Sequence, residues 1–421
     1  MEAGMEIKFL GGALEVGRSA IQVTYKDTKI LLDYGVMLND HPEFPLPVET
    51  KNLNAVVLSH SHLDHSGGIP LLYINRTPKL YMTSMTRDTA ELLVHDFIKL
   101  SANYLLFDKT EVEKMIRNTK TVYYREPFAV GDLEVELMDA GHIPGSAQVI
   151  VNGDKTLVYT GDFTTVKTRM LDGADTTIGD VDAVIIESTY AHEDHRPRID
   201  LEKEFVKACR EVVENGGRVL VPAFSVGRAQ EIISILAAHN FKHPVWLDGM
   251  AKKTLEYYLS DKRFIDGAEI LEKASRRTRF VKGKKGRIDA LSEPGVIVTP
   301  AGMLKGGPAL YYAPEIVEDE KSAVFLASFQ IPGTPGEILL NQGRLVTDAI
   351  NKPANCIVKQ FRFSGHAGRA QLHDYLRKIE THAHVFTMHG EPEMCKMLSD
   401  WARNELGLSG TAPSNGQTFT I

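Results

Sequence analysis

The spacing of apolar and polar positions divides the chain into two regimes. Over the first third, short apolar runs end in polar residues, as in "TKILLDYG" (28–35) and "NAVVLSH" (54–60). Between Lys120 and Asp162 the runs "TVYYREPFAV", "LEVELMDAGH" and "KTLVYTGDF" are joined by turn signals at Gly131-Asp132 and Asn152-Gly153-Asp154. This predicts a β-rich segment. One helix is expected in it, "TRDTAELLVHDFIKL", with Leu92, Leu93 and Phe97 at helical spacing. After the buried-type strand "VDAVIIESTY" the period changes. From about Arg198 the chain alternates: helix "LEKEFVKACREVVENGG", strand "RVLVP", helix "VGRAQEIISILAAH", strand "PVWLD", helix "KKTLEYYLS", then strands "GVIVTPAGML" and "AVFLAS". That rhythm predicts a parallel α/β layer. From Asn355 it continues as strand "CIVKQFRFS", a helix, strand "HVFTMHG" and helix "EPEMCKMLSDWARNEL".

Length and composition narrow this picture. At 421 residues the chain is expected to hold two or three domains. Its 43% hydrophobic and 24% charged residues are those of a globular protein, and no apolar run approaches the roughly 20 residues of a membrane helix. The N-terminus does not read as a secretory leader. The three cysteines are scattered and read as reduced thiols of a cytoplasmic protein, so a metal site must use His, Asp and Glu. A net charge of −7 restricts any nucleic-acid binding to local patches.

The chemistry is densest in "SHSHLDHSGG" (59–68), which holds three of the chain's 15 histidines and an aspartate. It follows a strand and precedes a glycine pair and a helix, so it can aim His60, His62, Asp64 and His65 at one point. Imidazole with carboxylate suits zinc and similar divalent ions. Four ligands from so short a loop cannot close around one ion, which predicts two ions. His142 in "DAGHIPGS" and Asp162 in "YTGDF" are strand-end candidates for the same centre.

These ordered motifs, with Asp33 in "LLDYG", resemble the metallo-β-lactamase superfamily. The fold class this implies is α/β, an αββα sandwich with a two-metal site. By resemblance His60, His62 and His142 hold one zinc. Asp64 and His65 hold a second, and Asp162 bridges them. Asp33 holds the loop by hydrogen bonds, although it also reads as a turn-capping residue. The α/β segment after "IIESTY" resembles the β-CASP branch, on Glu187 after its strand, His366 in "FSGHAGR" and His389 in "FTMHGE". "VPAFSVGRAQE" and "AGMLKGGP" also look like this branch. The resemblance implies that His389 completes the second zinc, that His366 is the proton donor, and that Glu187 orients it. The sandwich would comprise residues 1–197 and 355–421, with an inserted parallel-sheet β-CASP domain at 198–354 and the active site in the cleft between them.

Substrate grip must come from elsewhere. "ASRRTRFVKGKKGR" (274–287) holds Arg276, Arg277, Arg279, Lys282, Lys284, Lys285 and Arg287 with no acid. It can follow a single-stranded RNA backbone, and it reads equally as a solvated loop. Arg228, behind Gly227 at a helix start, and Ser364 in "SGHA" are phosphate candidates. The chain most resembles the stand-alone archaeal and bacterial versions of the cleavage and polyadenylation nuclease. That implies a zinc-dependent ribonuclease, endonucleolytic and also compatible with 5′-3′ exonucleolytic action, in RNA 3′-end processing or decay. A homodimer is compatible with the sequence, which does not fix the oligomer. The alternatives are a DNA nuclease of the Artemis type, a small-molecule hydrolase, and a non-catalytic RNA-binding scaffold. In the resemblance, His389 favours RNA over DNA, the large insert disfavours small substrates, and the full ligand set disfavours the scaffold.

Overall fold

The computed structural model describes residues 4–39, 41–380 and 382–421. The chain forms two compact units: one from residues 1–166, 173–194 and 365–421, the other from residues 167–172 and 195–364.

The first unit is built on two seven-stranded sheets. One runs Thr418–Thr420, Glu6–Gly11, Ala20–Tyr25, Thr28–Leu32, Ala55–Val57, Lys79–Met82 and Thr119–Thr121. The other runs Ser409–Thr411, His384–Met388, Ala183–Glu187, Thr156–Tyr159, Ala147–Asn152, Leu133–Asp139 and Phe128–Val130. Period-two alternation gives each sheet one inward face. Phe9, Ile21, Val23, Ile30 and Leu32 from the first meet Val135, Leu137, Val149, Leu157, Ile185 and Phe386 from the second in one core. Their other faces are covered by helices. Val94 and Phe97 of helix Ser84–Ser101 pack with Leu31 and Val56, while Leu372, Tyr375 and Leu398 pack with Val158 and Val184. The layers are therefore helix, sheet, sheet, helix. Helix Ser84–Ser101 buries Ala90, Val94, Phe97 and Ile98, whereas Leu92 and Leu93, read in the sequence as its apolar face, are only half-buried.

The second unit holds a six-stranded, all-parallel sheet in the order Thr278–Phe280, Val245–Leu247, Gly295–Thr299, Arg218–Pro222, Ala323–Leu326, Ile357–Gln360. The last strand marks a difference from the sequence reading, which gave residues 355–364 to the sandwich. Ile357–Gln360 instead pairs in parallel with Ala323–Leu326. The expected strand at 356–364 stops at Gln360, and the chain re-enters the first unit at Gly365. The basic stretch also departs from a plain loop. It comprises the end of helix Ala268–Arg277, the edge strand Thr278–Phe280 and the start of helix Gly283–Leu291.

Candidate metal centre

Apart from His366, every residue of the candidate centre sits at or just beyond a strand end of the first unit. Strand Thr28–Leu32 delivers Asp33, and its parallel neighbour Ala55–Val57 delivers residues 59–66. Strand Thr156–Tyr159 leads to Asp162. Its parallel neighbours Ala183–Glu187 and His384–Met388 deliver Glu187 and His389. His142 lies in the connection between Leu133–Asp139 and Ala147–Asn152. Parallel strands align their carboxyl ends along an edge of each sheet, and the two edges together bring His389 to Asp64, 325 positions away in sequence.

Asp33 organises one side. It is fully buried at φ +57°, a region an aspartate tolerates better than most residues. Its Oδ1 accepts from the Ser59 amide at 2.7 Å. Its Oδ2 accepts from the Ser59 hydroxyl at 2.7 Å, from His65 Nδ1 at 2.7 Å and from the Tyr159 hydroxyl at 2.8 Å. With its Nδ1 proton committed to this carboxylate, His65 presents Nε2 as a lone pair. His142 is fixed the same way, its Nδ1 donating to the Gly365 carbonyl at 2.8 Å. Glycine lets the two approach this closely, since a Cβ would stand 3.0 Å from that nitrogen and press on the ring. Gly35 has a similar part: a Cβ on it would overlap the Asp64 carbonyl oxygen, so only glycine lets the Tyr34–Gly35 strap lie against the histidine loop.

Asp162 stands in the middle. Its Oδ1 lies 3.2 Å from His65 Nε2 and 3.2 Å from His389 Nδ1. Its Oδ2 lies 3.5 Å from His60 Nε2 and 3.8 Å from His142 Nε2. His62 Nδ1 is 3.1 Å from His142 Nε2, and His389 Nε2 is 3.4 Å from Asp64 Oδ2. Two donor groups result, His60, His62, His142 with Asp162, and Asp64, His65, His389 with Asp162. Glu187, His366 and His389 form a third group around the same aspartate. In it His366 Nδ1 is already engaged with Glu187 Oε2 at 2.9 Å, and Glu187 Oε1 accepts the Phe163 amide at 2.9 Å.

The electrostatics favour deprotonated donors at His60, His142 and Asp162, whereas at His65 burial is outweighed by Asp162 and Asp33, which raise it well above the usual imidazole range. Burial pushes His60 and His142 well below the usual imidazole range, and the neighbouring histidines push them further. Burial opposes charge on Asp162, but His389 and His65 outweigh it and hold its carboxyl well below the usual range. His366 differs. Burial disfavours its charged form, yet Glu187 and Asp162 raise it to about 9. The donor set fits a divalent cation by a direct observation. Among the described residues, Nε2 of His60, Nε2 of His65 and Oδ1 of Asp162 are buried without a hydrogen-bond partner. Orphaned buried polar atoms are costly unless something else meets them.

The candidate RNA contacts lie in the second unit. Arg228 pairs with the buried Glu231, which Arg198 also grips. Ser364 offers its carbonyl to Arg198 at 3.2 Å. In the basic stretch, Arg276, Arg277, Lys282, Lys284 and Lys285 are exposed, although Arg276 lies 3.4 Å from Glu272. Arg287 is bound to the buried Asp248 at 2.8 Å, and Arg279 pairs with Glu293 and stacks over Trp246. Sequence reading passed over Ser59, Tyr159 and Thr189, which brace Asp33, His60 and His389. Tyr159 had one signal: it shares the inward alternation of Leu157, so its hydroxyl had to find a buried acceptor.

A sandwich of two sheets between helices, with a buried His/Asp cluster at aligned strand ends, defines a metal-dependent hydrolase. Comparison with known proteins places it further. Family models match at residues 28–222 (beta-lactamase superfamily domain), 229–339 (Beta-Casp domain) and 352–413 (Zn-dependent metallo-hydrolase RNA specificity domain). Among curated relatives, RNase aCSPSF2 of Saccharolobus solfataricus is 40% identical over 99% of this chain and 85% of its own. A probable RNase of Methanocaldococcus jannaschii is 35% identical over 99% and 100%. Transcription termination factor FttA of Pyrococcus abyssi is 32% identical over 99% and 71%. A crystal structure of an Enterococcus faecalis protein of unknown function shares the fold at TM-score 0.62 and 16% identity, with both chains fully covered. The chain belongs to the metallo-β-lactamase superfamily, in its β-CASP branch.

Proposed function

We propose that this protein is a zinc-dependent ribonuclease that hydrolyses RNA phosphodiester bonds with two zinc ions. The observation that carries the reading is Asp162, whose two oxygens face two separate histidine groups. His60, His62 and His142 would hold one ion, and Asp64, His65 and His389 the other, with Asp162 shared. When bound, such ions supply Lewis acidity toward the phosphate and bring the pKa of water toward about 7.

The chain's own groups do the rest. Asp33 keeps His65 in one tautomer, and the Gly365 carbonyl does so for His142. Water adds to phosphorus, the P–O3′ bond breaks, and the departing O3′ takes a proton from His366. With Nδ1 held by Glu187, Nε2 is the nitrogen that delivers it. A positioned acid of this kind contributes about 10²–10⁴-fold. RNA is favoured as substrate because two relatives bear RNase names and a matched family model describes an RNA specificity domain. We place the protein in the cytoplasm, since its three cysteines are all buried and unbridged. Among the described residues no helix is long and apolar enough to cross a membrane.

The test is cleavage of RNA labelled at either end, with 5′-hydroxyl, monophosphate and triphosphate forms compared. Internal cuts indifferent to the 5′ group indicate endonuclease action. Stepwise loss from a 5′-monophosphate indicates added 5′-3′ exonuclease action. No cleavage of any form by zinc-loaded protein would refute the proposal.

A further inference from the structure

The parallel sheet of the second unit has a topological switch. The chain leaves strand Arg218–Pro222 for Val245–Leu247, and leaves the adjacent Gly295–Thr299 for Ala323–Leu326 on the opposite side. Right-handed crossovers running in opposite directions put the two connecting helices on opposite faces, which marks the carboxyl ends of these strands as a switch point. Helix Ala309–Glu318 accordingly packs on the face of Leu220, Ile297 and Val324. In open α/β sheets this place receives ligands.

The residues there suit a nucleic-acid strand. Phe224 follows Arg218–Pro222 and Phe329 follows Ala323–Leu326, and they stand 43% and 44% exposed. An exposed aromatic ring offers a face on which a base can stack. The connection after Gly295–Thr299 carries Lys305, exposed and in no ion pair among the described residues, followed by Gly306 and Gly307. Gly306 has open space where a side chain would be. The three loops are tied together. Gln330 Nε2 donates to the carbonyls of Gly302 at 3.1 Å and Phe329 at 3.1 Å, and a Cβ on Gly302 would lie 3.5 Å from the Phe224 amide nitrogen. The same Cβ position is 3.3 Å from the Ser328 hydroxyl, which is buried and has no hydrogen-bond partner among the described residues. The spot therefore combines two aromatic faces, one uncommitted cation, open backbone and an unsatisfied hydroxyl.

We propose that this carboxyl edge is a grip for single-stranded RNA, with bases stacked on Phe224 and Phe329 and a backbone phosphate at Lys305 and Gly306. The inference rests on the ribonuclease reading above, and it assigns part of substrate binding to the second unit alone. Stacking of this sort tolerates any base, because each has a π face.

The experiment measures binding of a labelled oligouridylate in a His366→Ala background, and cleavage kinetics in the otherwise wild-type protein. Phe224→Ala and Phe329→Ala should each weaken binding roughly tenfold and raise KM more than they lower kcat. Tyrosine at either position should restore most of the loss. An oligomer with abasic sites should bind the parent and the double alanine variant equally. Lys305→Ala should flatten the salt dependence by about one unit of slope. Unchanged thermal melting would show that the variants fold. If the folded double variant binds normal RNA like its parent, or still discriminates against abasic RNA, the grip is refuted although the ribonuclease reading stands. If wild-type protein cleaves no RNA but binds it through these two rings, the grip stands and the hydrolase reading falls. If it neither cleaves nor binds RNA, both fall.

Discussion

Replacing Asp33 with asparagine tests how far a residue outside the proposed ligand set controls zinc. The carboxylate accepts four hydrogen bonds, three of them on Oδ2. Asparagine keeps one acceptor oxygen and brings two donors. If its amide nitrogen takes the place of Oδ2, it faces His65 Nδ1. The imidazole then must shift its proton to Nε2, the nitrogen that faces Asp162. If the amide nitrogen takes the place of Oδ1, it meets the Ser59 N–H, donor against donor, in a fully buried site. The first arrangement removes a ligand lone pair, and the second leaves a buried donor unmet, at about 1–3 kcal/mol. Loss of a partner that orients a metal-ligating histidine typically costs 10–100-fold in metal affinity, or about 1.4–2.8 kcal/mol. Asp33→Asn should therefore weaken zinc binding by roughly that factor, read by competition with a chromophoric chelator. Tyr159→Phe is the control. It removes one donor to Oδ2 and leaves the His65 tautomer alone, so zinc affinity should stay near wild type. Stability should fall by about 0.5–1.5 kcal/mol. Wild-type zinc affinity in Asp33→Asn, or an equal loss in Tyr159→Phe, would refute the tautomer argument.

Other outcomes follow from the same geometry. Elemental analysis of untagged protein should find close to two zinc equivalents, and chelation should abolish cleavage; only trace metal would overturn the two-zinc reading. His389→Ala should lose zinc and cleavage together. His366→Ala should keep its zinc and its bound RNA, slow cleavage by roughly 10²-fold or more, and recover much of the rate on a 3′-bridging phosphorothiolate, whose thiolate leaves without a proton. Neutralising Arg276, Arg277, Lys282, Lys284 and Lys285 together should weaken RNA binding and flatten its salt dependence, with zinc content unchanged. Arg287→Ala should instead lower the unfolding free energy by about 1–3 kcal/mol, because it strips the buried Asp248 of a partner, and should leave the salt slope as it was.

The candidate centre was legible in the sequence because its donors are rare residue types at strand ends, where spacing carries meaning. The loop from His60 to His65 could be read without a partner, since no core needs three histidines so close together. Long-range partners were reachable only through the family resemblance, because nothing local ties His389 to Asp64. The bracing hydroxyls of Ser59 and Tyr159 escaped notice, since serine and tyrosine are common and their role depends on a buried carboxylate 26 and 126 positions away. The basic stretch was legible only in part, for a related reason. Charge count does not show which arginines are engaged, and only the fold reveals that Arg287 and Arg279 are held by Asp248 and Glu293. Residues 357–360 read as a strand correctly, but strand propensity does not say which sheet a strand joins.

The first unit is closed by late-arriving strands. His384–Met388 pairs with Ala183–Glu187, and Thr418–Thr420 pairs with Glu6–Gly11. A ribosome making this chain releases Asp33 and the histidine loop early, then the whole six-stranded sheet, and only afterwards the segment bearing His366 and His389. Until then Asp64 and His65 lack His389, Glu187 lacks His366, and the second sheet lacks its strand beside Ala183–Glu187. The nascent protein thus cannot complete the group of Asp64, His65 and Asp162 until His389 has emerged. A chain broken off just before residue 389 would keep the whole group of His60, His62, His142 and Asp162 and lack the one histidine that completes Asp64, His65 and Asp162.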